Sequence, residues 1–392
     1  MKIGIIDADL LGREKHRFPN LACEKISGYW KDQGAEVHLL MDYNWPEGYD
    51  HIYISKVFTD TPVPDWLEES ETLHLGGTGF YYDKAPNLPD AIEHHMPDYH
   101  LYDAWINEEL LNAELEAKQN GKEFKKASFM AQFKEYTDYS IGFLTRGCFR
   151  KCKFCVNQKY DRVFTHSPLA EFYDPSRKKI CLLDDNFFGY AGWKVALQEL
   201  IDTGRSFKFK QGLDERLLTE EKCRMLFNSN YDGDLTFAFD NIADYEIIES
   251  KLKLIRKHAN PRKSIKFYVL VGFESTDATD IENAFKRIEL LMRYKCTPYI
   301  MRYQDKNRTP WKKSKYKGMY ISLARWGNQP SIFKKMSFRQ FCERNQELHK
   351  RKHTLCAPMQ AMTLFEQDNP EIAAKYFDLS FNDYSLESLN LE

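Results

Sequence analysis

Three cysteines lie close together in the run of residues 147–155, directly after an apolar stretch at residues 141–144. They are Cys148, Cys152 and Cys155, and their spacing is C-x3-C-x2-C. Three thiolates in one tight loop can hold three irons of a cubic [4Fe–4S] cluster, whereas such clusters are normally held by four cysteines. One iron would then be open to bind another molecule. The spacing therefore indicates a site for chemistry rather than for electron storage alone.

A zinc site is the alternative interpretation of the same loop. Cys148, Cys152 and Cys155 could form a closed Cys3His set with His166. The usual short zinc spacings are paired C-x2-4-C knuckles, and no second cysteine pair follows in the sequence. The chain has nine cysteines, an odd number, and this count together with the clustered spacing favours a reducing compartment.

With Phe154 before the last cysteine, the loop reads C-x3-C-x-aromatic-C. This motif resembles that of the radical S-adenosylmethionine (SAM) superfamily, and the resemblance extends over roughly residues 1–345. In that family the open iron chelates the amino and carboxylate groups of SAM, and reductive cleavage gives methionine and a 5′-deoxyadenosyl radical. The resemblance implies a hydrogen-abstracting enzyme with a [4Fe–4S] cluster and SAM as cofactors, and Phe154 beside them. It also implies an electron donor of the flavodoxin or ferredoxin type.

Six strand patterns lie between residues 140 and 304, and helical patterns separate most of them. The predicted strands are Ser140–Leu144, Ile180–Asp184, Phe207–Lys210, Leu235–Phe239, Ile265–Val271 and Tyr299–Arg302. Six β/α units are too few to close like a (β/α)8 barrel. They suit an open, partial (β/α)6 barrel over residues 140–304, which is the fold that the resemblance implies. An open side would admit a large substrate.

In β/α barrels the active-site groups lie on the loops that follow the strands. Asp184 and Asp185 follow the second predicted strand, and adjacent carboxylates can accept hydrogen bonds from an ammonium group. They resemble the family's second-strand motif, which holds the amino group of SAM. Gln211 and Arg216 follow the third strand, and the resemblance supports both as cofactor-pocket residues. A structural pair of Asp214 with Arg216 is the alternative.

The last three strands end in further candidates. Asp240 follows the fourth strand with no obvious local partner, and it is the candidate catalytic residue. Gly272 follows the fifth strand and would let the backbone approach an adenine closely, which resembles the family's fifth-strand motif. The sixth strand carries Tyr299, Arg302 and Tyr303, of which we select Tyr299 as a cofactor contact.

Residues 1–100 are predicted to form a small, Rossmann-like α/β domain with a parallel sheet. Its first strand-to-helix turn, Asp7–Gly12, lacks the G-x-G-x-x-G of dinucleotide sites. The domain resembles the cobalamin-binding type that precedes the catalytic domain in one radical SAM subgroup. In the D-x-H-x-x-G motif of cobalamin proteins the His ligates cobalt, but Asp9 occupies that place here. The alternatives are a degenerate domain without a corrinoid and a cobalamin-dependent radical SAM methyltransferase.

Charge is distributed unevenly, although the net charge is only −2. Residues 1–140 hold 13 Lys and Arg against 26 Asp and Glu, whereas residues 301–353 hold 15 against 3. In the basic part, cations alternate with aromatic residues, among them Trp311, Tyr316 and Tyr320. Such a surface suits nucleic acid, because charge binds phosphate and rings stack on bases. Alternatively, these cations pair with the acidic N-terminal domain.

The remaining segments complete the predicted organisation. Residues 101–139 form a helical connector, and residues 305–392 form a basic, aromatic-rich C-terminal extension with an acidic tail, whose basic part at 305–345 is the expected nucleic-acid surface. No apolar run approaches the ~20 residues of a membrane helix, so we expect a cytoplasmic protein without a membrane partner. A zinc-stabilised nucleic-acid-binding protein without catalysis is the alternative from another functional class.

Overall fold

The computed structural model describes residues 1–304, 308–350 and 353–389. At its N-terminus lies a four-stranded parallel sheet in the order β2-β1-β3-β4. Its strands are β1 (Lys2–Asp7), β2 (Glu36–Leu39), β3 (His51–Ser55) and β4 (Leu73–Gly76). The accompanying helices are α1 (Ala8–Gly12), α2 (Leu21–Asp32), α3 (Thr78–Tyr81), α4 (Asp90–Glu93), α5 (Asp103–Gln119), α6 (Lys126–Met130) and α7 (Lys134–Thr137). The predicted parallel α/β arrangement of this region is confirmed.

Two units make up the chain. The first comprises residues 1–190 and 198–210, and the second comprises residues 191–197 and 211–392. Parts of the predicted C-terminal extension, residues 305–307, 351–352 and 390–392, lie outside the described residues. In the described part of the chain, no helix has the length and apolar character needed to cross a membrane.

The first unit also contains a three-stranded parallel sheet, β5-β8-β9, and a short antiparallel pair, β6-β7. These strands are β5 (Tyr139–Gly142), β6 (Thr145–Arg146), β7 (Phe164–Thr165), β8 (Lys179–Leu182) and β9 (Ser206–Phe209). The cysteine loop lies between β6 and β7. The three parallel strands fall within two residues of the first three strands predicted for the barrel.

The second unit contains the other three predicted strands as a parallel sheet in the order β10-β11-β12. They are β10 (Leu235–Ala238), β11 (Ile265–Val271) and β12 (Thr297–Arg302). Helix α8 (Trp193–Asp202) crosses the boundary between the units. The helices of the second unit are α9 (Glu220–Asn228), α10 (Tyr245–His258), α11 (Ala278–Arg293), α12 (Lys317–Gly327), α13 (Pro330–Phe333), α14 (Phe338–Glu347), α15 (Ala357–Asp368) and α16 (Pro370–Tyr376).

The predicted connector belongs to the core of the N-terminal sheet. Trp105, Phe133 and Tyr136 lie in one buried cluster with Ile3 and Ile5 of β1. Between α5 and β5 the chain forms the short helices α6 and α7 with a 3-10 turn between them. This segment places large aromatic rings against the sheet, and burying such rings is a major source of core stability.

Helix α11 begins at an aspartate N-cap. The side chain of Asp277 accepts hydrogen bonds from the backbone N–H groups of Thr279 (2.9 Å) and Asp280 (3.3 Å). Asp is as good an N-cap as Ser or Thr, because its side-chain oxygen satisfies the same unpaired N–H groups.

Four aromatic residues of the basic C-terminal region point into the protein, whereas Tyr316 is partly exposed. Trp311, Tyr320, Trp326 and Phe338 are each less than 5% exposed. Phe285 of α11 packs against the ring of Phe338 at 5.5 Å. These four rings cannot stack on bases, so that part of the predicted nucleic-acid surface is wrong.

Two of the cations in this region are paired within the second unit. Lys315 contacts Asp368 at 2.6 Å, and Arg339 contacts Glu366 at 2.7 Å and Asp378 at 3.0 Å. The acidic C-terminal tail thus neutralises part of the basic region.

Asp7 forms the centre of a buried polar network at the end of β1. It caps α1 by accepting from the N–H groups of Asp9 (3.1 Å) and Leu10 (3.2 Å), and it accepts from the hydroxyl of Tyr102 at 2.9 Å. Burial raises the pKa of Asp7 to about 7 although these hydrogen bonds act to lower it. The protonated carboxyl is therefore the form that the folded state favours.

We expect Asp7→Asn to change how stability depends on pH. The pKa of Asp7 in the folded protein lies above its ordinary value of 3.8. Below about pH 4 the carboxyl is protonated in both the folded and the unfolded state, so its burial does not lower the free energy of unfolding. As pH rises towards 7, the free energy of unfolding of the wild type should fall, by about 4 kcal/mol at most. The Asn variant lacks this loss. Urea unfolding from pH 4 to 8, with the exposed Asp65→Asn as control, measures it. Parallel curves for wild type and Asp7→Asn would contradict the buried, protonated Asp7.

Candidate active site

Exposure separates the three loop cysteines from the other six. Cys148, Cys152 and Cys155 are partly exposed. The remaining cysteines are buried: Cys23, Cys181, Cys223, Cys296, Cys342 and Cys356. A thiol must be reachable to react or to bind a metal group, whereas a buried one behaves as a small apolar residue. The loop cysteines are therefore the ones suited to chemistry.

The loop directs N–H groups at two of its sulfur atoms. The backbone N–H of Arg150 points at Sγ of Cys148 and that of Asn157 at Sγ of Cys155, each at 3.4 Å. The side-chain amide of Asn186 donates to Sγ of Cys148 at 3.3 Å. Hydrogen bonds to cysteine sulfur stabilise the thiolate and tune the potential of a bound cluster.

The backbone of the loop has a fixed shape that depends on Gly147. This glycine has a φ of +90°, and a Cβ placed there would lie 2.3 Å from the carbonyl oxygen of Arg162. Lys151 also adopts a positive φ, of 50°, and its Nζ contacts Asp161 at 2.6 Å. A left-handed conformation costs a non-glycine residue roughly 1–2 kcal/mol, so surrounding contacts must hold the loop in place.

Asp184 supplies the first of these contacts. Its carboxylate accepts from the backbone N–H groups of Leu144 (3.2 Å) and Thr145 (2.7 Å) and from the Thr145 hydroxyl (2.6 Å). The side chain is buried, and burial raises the pKa of Asp184 to about 7 against the opposing effect of these bonds. Asp184 therefore fixes the chain just before the loop.

Asp185 holds the loop itself. It accepts from the backbone N–H of Gly147 at 2.7 Å and from the side-chain amide of Asn157 at 2.6 Å, and Arg146 lies 3.8 Å away. Gly147 precedes the first cysteine and Asn157 follows the last. The Asp pair thus fastens the loop at both ends, and a ligand ammonium would have to share oxygens that the loop already uses.

The zinc alternative requires His166 beside the three loop cysteines. Among the described residues, no group of three or more His, Cys, Asp and Glu side chains is arranged to hold one ion. His166, the fourth ligand of the zinc alternative, is engaged elsewhere, since its Nε2 lies 3.3 Å from Glu93 and its ring stacks on His94.

Phe154 lies in the loop and is partly buried. With Asp184, Asp185 and the three cysteines, it belongs to the first unit. The other predicted site residues, Gln211, Arg216, Asp240, Gly272 and Tyr299, belong to the second unit.

Arg216 is held by carboxylates of its own unit. It contacts Asp214 at 2.8 Å, Asp244 at 3.0 Å and Glu215 at 3.9 Å. Although burial acts to lower it, the pKa of Arg216 is raised by these neighbours, first of all by Asp214. The Asp214–Arg216 pair considered from the sequence is therefore present. Gln211, predicted beside Arg216, is exposed.

Gly272 and Asp240 have neighbours that the sequence does not reveal. Gly272 has a φ of +72°, and a Cβ there would lie 2.8 Å from Cβ of Trp311, so a tryptophan covers the side where an adenine was expected. Burial raises the pKa of Asp240 to about 6, while the charge of Arg287 lowers it. Arg287 also donates to the backbone carbonyl of Asp240 at 2.8 Å. Asp240 therefore has a charged neighbour on α11, which lies too far along the sequence to be a local partner.

Tyr299 is 41% exposed, and its ring lies edge-on to that of Tyr268 with 5.8 Å between centroids. The structure thus leaves Tyr299 available for a ligand.

Sequence reasoning missed Asn157, Asn186 and Glu215. Oδ1 of Asn186 is buried and, in the described part of the chain, has no hydrogen-bond partner, although its amide group donates to Cys148. Glu215 is buried, and burial raises its pKa to about 8. Asn186 could have been predicted as a site residue because it directly follows Asp184 and Asp185. No residue next to Asn157 in the sequence indicates that it belongs to the site.

The turn between β1 and α1 and the turn after β4 are both occupied by neighbouring residues of the chain. Asp9 is buried and accepts from the N–H of Val57 at 2.6 Å and from the hydroxyl of Thr61. A Cβ at Gly77 would lie 2.3 Å from the carbonyl oxygen of Lys56. Asp9 thus serves the loop after β3 and is not available as a cobalt ligand, so these residues do not fit a His-type corrinoid site.

Comparison with known proteins gives two distant structural likenesses. The crystal structure of Streptococcus suis SuiB bound to S-adenosylmethionine shares 11% identity over 64% of this chain and 64% of that chain, with a TM-score of 0.36. The cobalamin-dependent S-adenosylmethionine radical enzyme OxsB, with aqua-cobalamin and S-adenosylmethionine bound, shares 12% identity over 97% of this chain and 64% of that chain, with a TM-score of 0.43.

The present chain thus covers 64% of the length of each of these proteins. No protein-family model and no curated protein sequence matches it. Because both likenesses are distant, the chemistry proposed below is derived from the chain's own residues.

We expect Asp185→Ala to loosen the cysteine loop. The variant loses the bonds at Gly147 and Asn157, and a hydrogen bond to a charged group is worth ~1.5–3 kcal/mol, so thiol labelling of the metal-free protein should accelerate about tenfold. Asp161→Ala, which removes only an exposed partner of Lys151, is the matched control. Equal labelling rates for Asp185→Ala and wild type would show that the Asp185 contacts do not hold the loop.

Proposed function

We propose that the protein is a radical SAM enzyme that binds a [4Fe–4S] cluster through Cys148, Cys152 and Cys155. The observation that carries the proposal is the cysteine loop itself. Its thiols are the accessible ones of the chain, and two of the sulfurs accept N–H groups. Such a cluster, when bound and reduced, supplies the electron that cleaves SAM and generates the hydrogen-abstracting radical.

The chain's own residues position and shield this site. Asp184 and Asp185 hold the loop through its backbone, and Asn186 donates to Cys148. The unpartnered Oδ1 of Asn186 is a suitable acceptor for the ammonium group of SAM, because a buried acceptor without a donor is costly. We therefore assign to Asn186 the role that the sequence assigned to the Asp pair.

The finer parts of the proposal follow the predicted barrel. In the partial (β/α)6 barrel that the resemblance implies, Gln211, Arg216, Gly272 and Tyr299 would be cofactor contacts and Asp240 the catalytic residue. Tyr299 is supported by its exposure and Asp240 by its raised pKa. Reduction requires an external one-electron donor, which we propose is a small protein of the flavodoxin or ferredoxin type.

The proposal does not extend to a nucleic-acid substrate or to cobalamin. Four of the aromatic rings expected to stack on bases are buried, and Asp9 accepts a hydrogen bond from the loop after β3. No residue of the described chain favours either choice over an unspecified substrate for hydrogen abstraction.

Anaerobic reconstitution tests the proposal. Wild-type protein should take up about four irons with sulfide, become brown, and release 5′-deoxyadenosine from SAM under a reductant. The triple variant Cys148→Ala, Cys152→Ala, Cys155→Ala should do neither, while Cys342→Ala, which changes a buried thiol, should behave as wild type. One zinc per chain instead of iron, or cluster retention in the triple variant, would overturn the proposal.

Asn186→Ala should separate cofactor binding from cluster binding. The variant keeps the three thiols, so its iron content should match that of the wild type. Its affinity for SAM should fall about tenfold, because an ammonium–acceptor bond is worth ~1.5–3 kcal/mol. Equilibrium binding of SAM to the reconstituted proteins measures this difference, and an unchanged dissociation constant would remove Asn186 from the site.

A further inference from the structure

A cavity of about 700 Å³ lies in the second unit at the end of the sheet where β11 and β12 begin. Ile265 and Thr297, the first residues of these two strands, line it together with the C-terminal segment 381–387. Gly272 lies just beyond the opposite end of β11. The cavity is therefore separate from the strand ends that carry the predicted cofactor residues.

The lining of this cavity is strongly cationic. Arg262, Lys263, Lys295 and Lys334 line it, and Glu387 is the single carboxylate among the described residues of the lining. Within the ranges that the structure describes, none of these four cations forms an ion pair within 4.0 Å, in contrast to Lys315 and Arg339 nearby in the sequence. Asp232 and Asp234 attract Lys263, and Asp383 attracts Lys295, but in the part of the chain that the structure describes none of these carboxylates forms an ion pair with the four cations within 4.0 Å. Like charges gathered in one cavity repel one another, so an anion bound there would relieve the repulsion.

Lys295 is built into the wall of the cavity. It follows α11 in the left-handed conformation, with a φ of 52°, where glycine is the usual residue. Its Nζ donates to the carbonyl oxygens of Phe381 (2.7 Å) and Tyr384 (2.8 Å) and lies 4.1 Å from the centre of the Phe381 ring. Burial and the charge of Lys334 lower the pKa of Lys295. This lysine fixes the C-terminal segment that closes one side of the cavity.

Lys263 is held in a similar way from the other side. Its Nζ donates to the carbonyl oxygen of Tyr231 at 3.0 Å, and burial lowers its pKa. Each ammonium group has three donors. Lys263 therefore keeps donors for a ligand after this bond, and so does Lys295 after its two bonds. Arg262 and Lys334 are exposed at the rim.

We propose that this cavity binds a small phosphate-bearing ligand, a nucleoside diphosphate or triphosphate. Lysine and arginine are the usual partners of phosphate groups, and arginine can bind two oxygens at once. Tyr384, which is partly exposed, adds aromatic surface beside the cations, and such a surface suits a base attached to the phosphates. The volume lies within the range of small-molecule sites, about 300–1,000 Å³, and encloses one nucleotide rather than a strand of nucleic acid.

Calorimetric titration of the full-length protein with ATP, pyrophosphate and adenosine tests the proposal, which does not rest on the proposed function. The double variant Arg262→Gln, Lys334→Gln removes two rim cations without touching the bonds of Lys295. The matched control is Lys312→Gln, Lys335→Gln, which removes two exposed cations outside the cavity lining.

We expect ATP and pyrophosphate to bind and adenosine to bind at least about tenfold more weakly than ATP. The double variant should weaken ATP binding about tenfold or more while the control pair leaves it unchanged. The proposal would be overturned if adenosine and ATP bound with equal affinity, or if both variant pairs lost the same amount of ATP affinity. It would also be overturned if the protein bound an RNA oligonucleotide more tightly than ATP and the double variant abolished that RNA binding.

Discussion

The cysteine loop depends on two adjacent carboxylates, those of Asp184 and Asp185. Together they accept hydrogen bonds from Leu144, Thr145 and Gly147 before the cysteines and from Asn157 after them. A loop with a glycine and a lysine at positive φ has little regular hydrogen bonding of its own. The end of one strand, β8, therefore determines the position of three thiols that lie 29 or more residues earlier in the chain.

This arrangement gives the loop cysteines the two properties that cluster ligands need. All three are reachable from solvent, and the sulfurs of Cys148 and Cys155 face N–H groups that favour the thiolate form. The six buried cysteines have neither the shared loop nor the exposure. Asn186 connects the two parts, because it follows the Asp pair directly and its side chain reaches Cys148.

Much of this could be predicted from the sequence, because the features concerned are local. Strand β11 has the predicted bounds, since it is a short run rich in β-branched and aromatic residues. Asp184 and Asp185 were recognised as groups that bind donors, but their partners were not, because those partners depend on the path of a loop about 40 residues away. Trp311 above Gly272 is a contact of the same kind.

The buried aromatic residues of the basic region mark another limit. Alternating cations and rings fit both a nucleic-acid surface and an amphipathic helix that turns its rings inward. Helices α12 and α14 are amphipathic helices of this kind, because Trp326 and Phe338 lie in the core with Phe285. Single residues give no sign of that choice, because it depends on the helix against which they pack.

The burial of Trp105, Phe133 and Tyr136 beside Ile3 and Ile5 ties two segments of the chain into one folding unit. A fragment that ended at residue 100 would expose the face of β1 that these rings cover, and a fragment that began at residue 101 would carry three large rings without a sheet to cover them. Neither half is expected to be soluble alone. Any fragment made to study the four-stranded sheet must therefore include the helices that follow it.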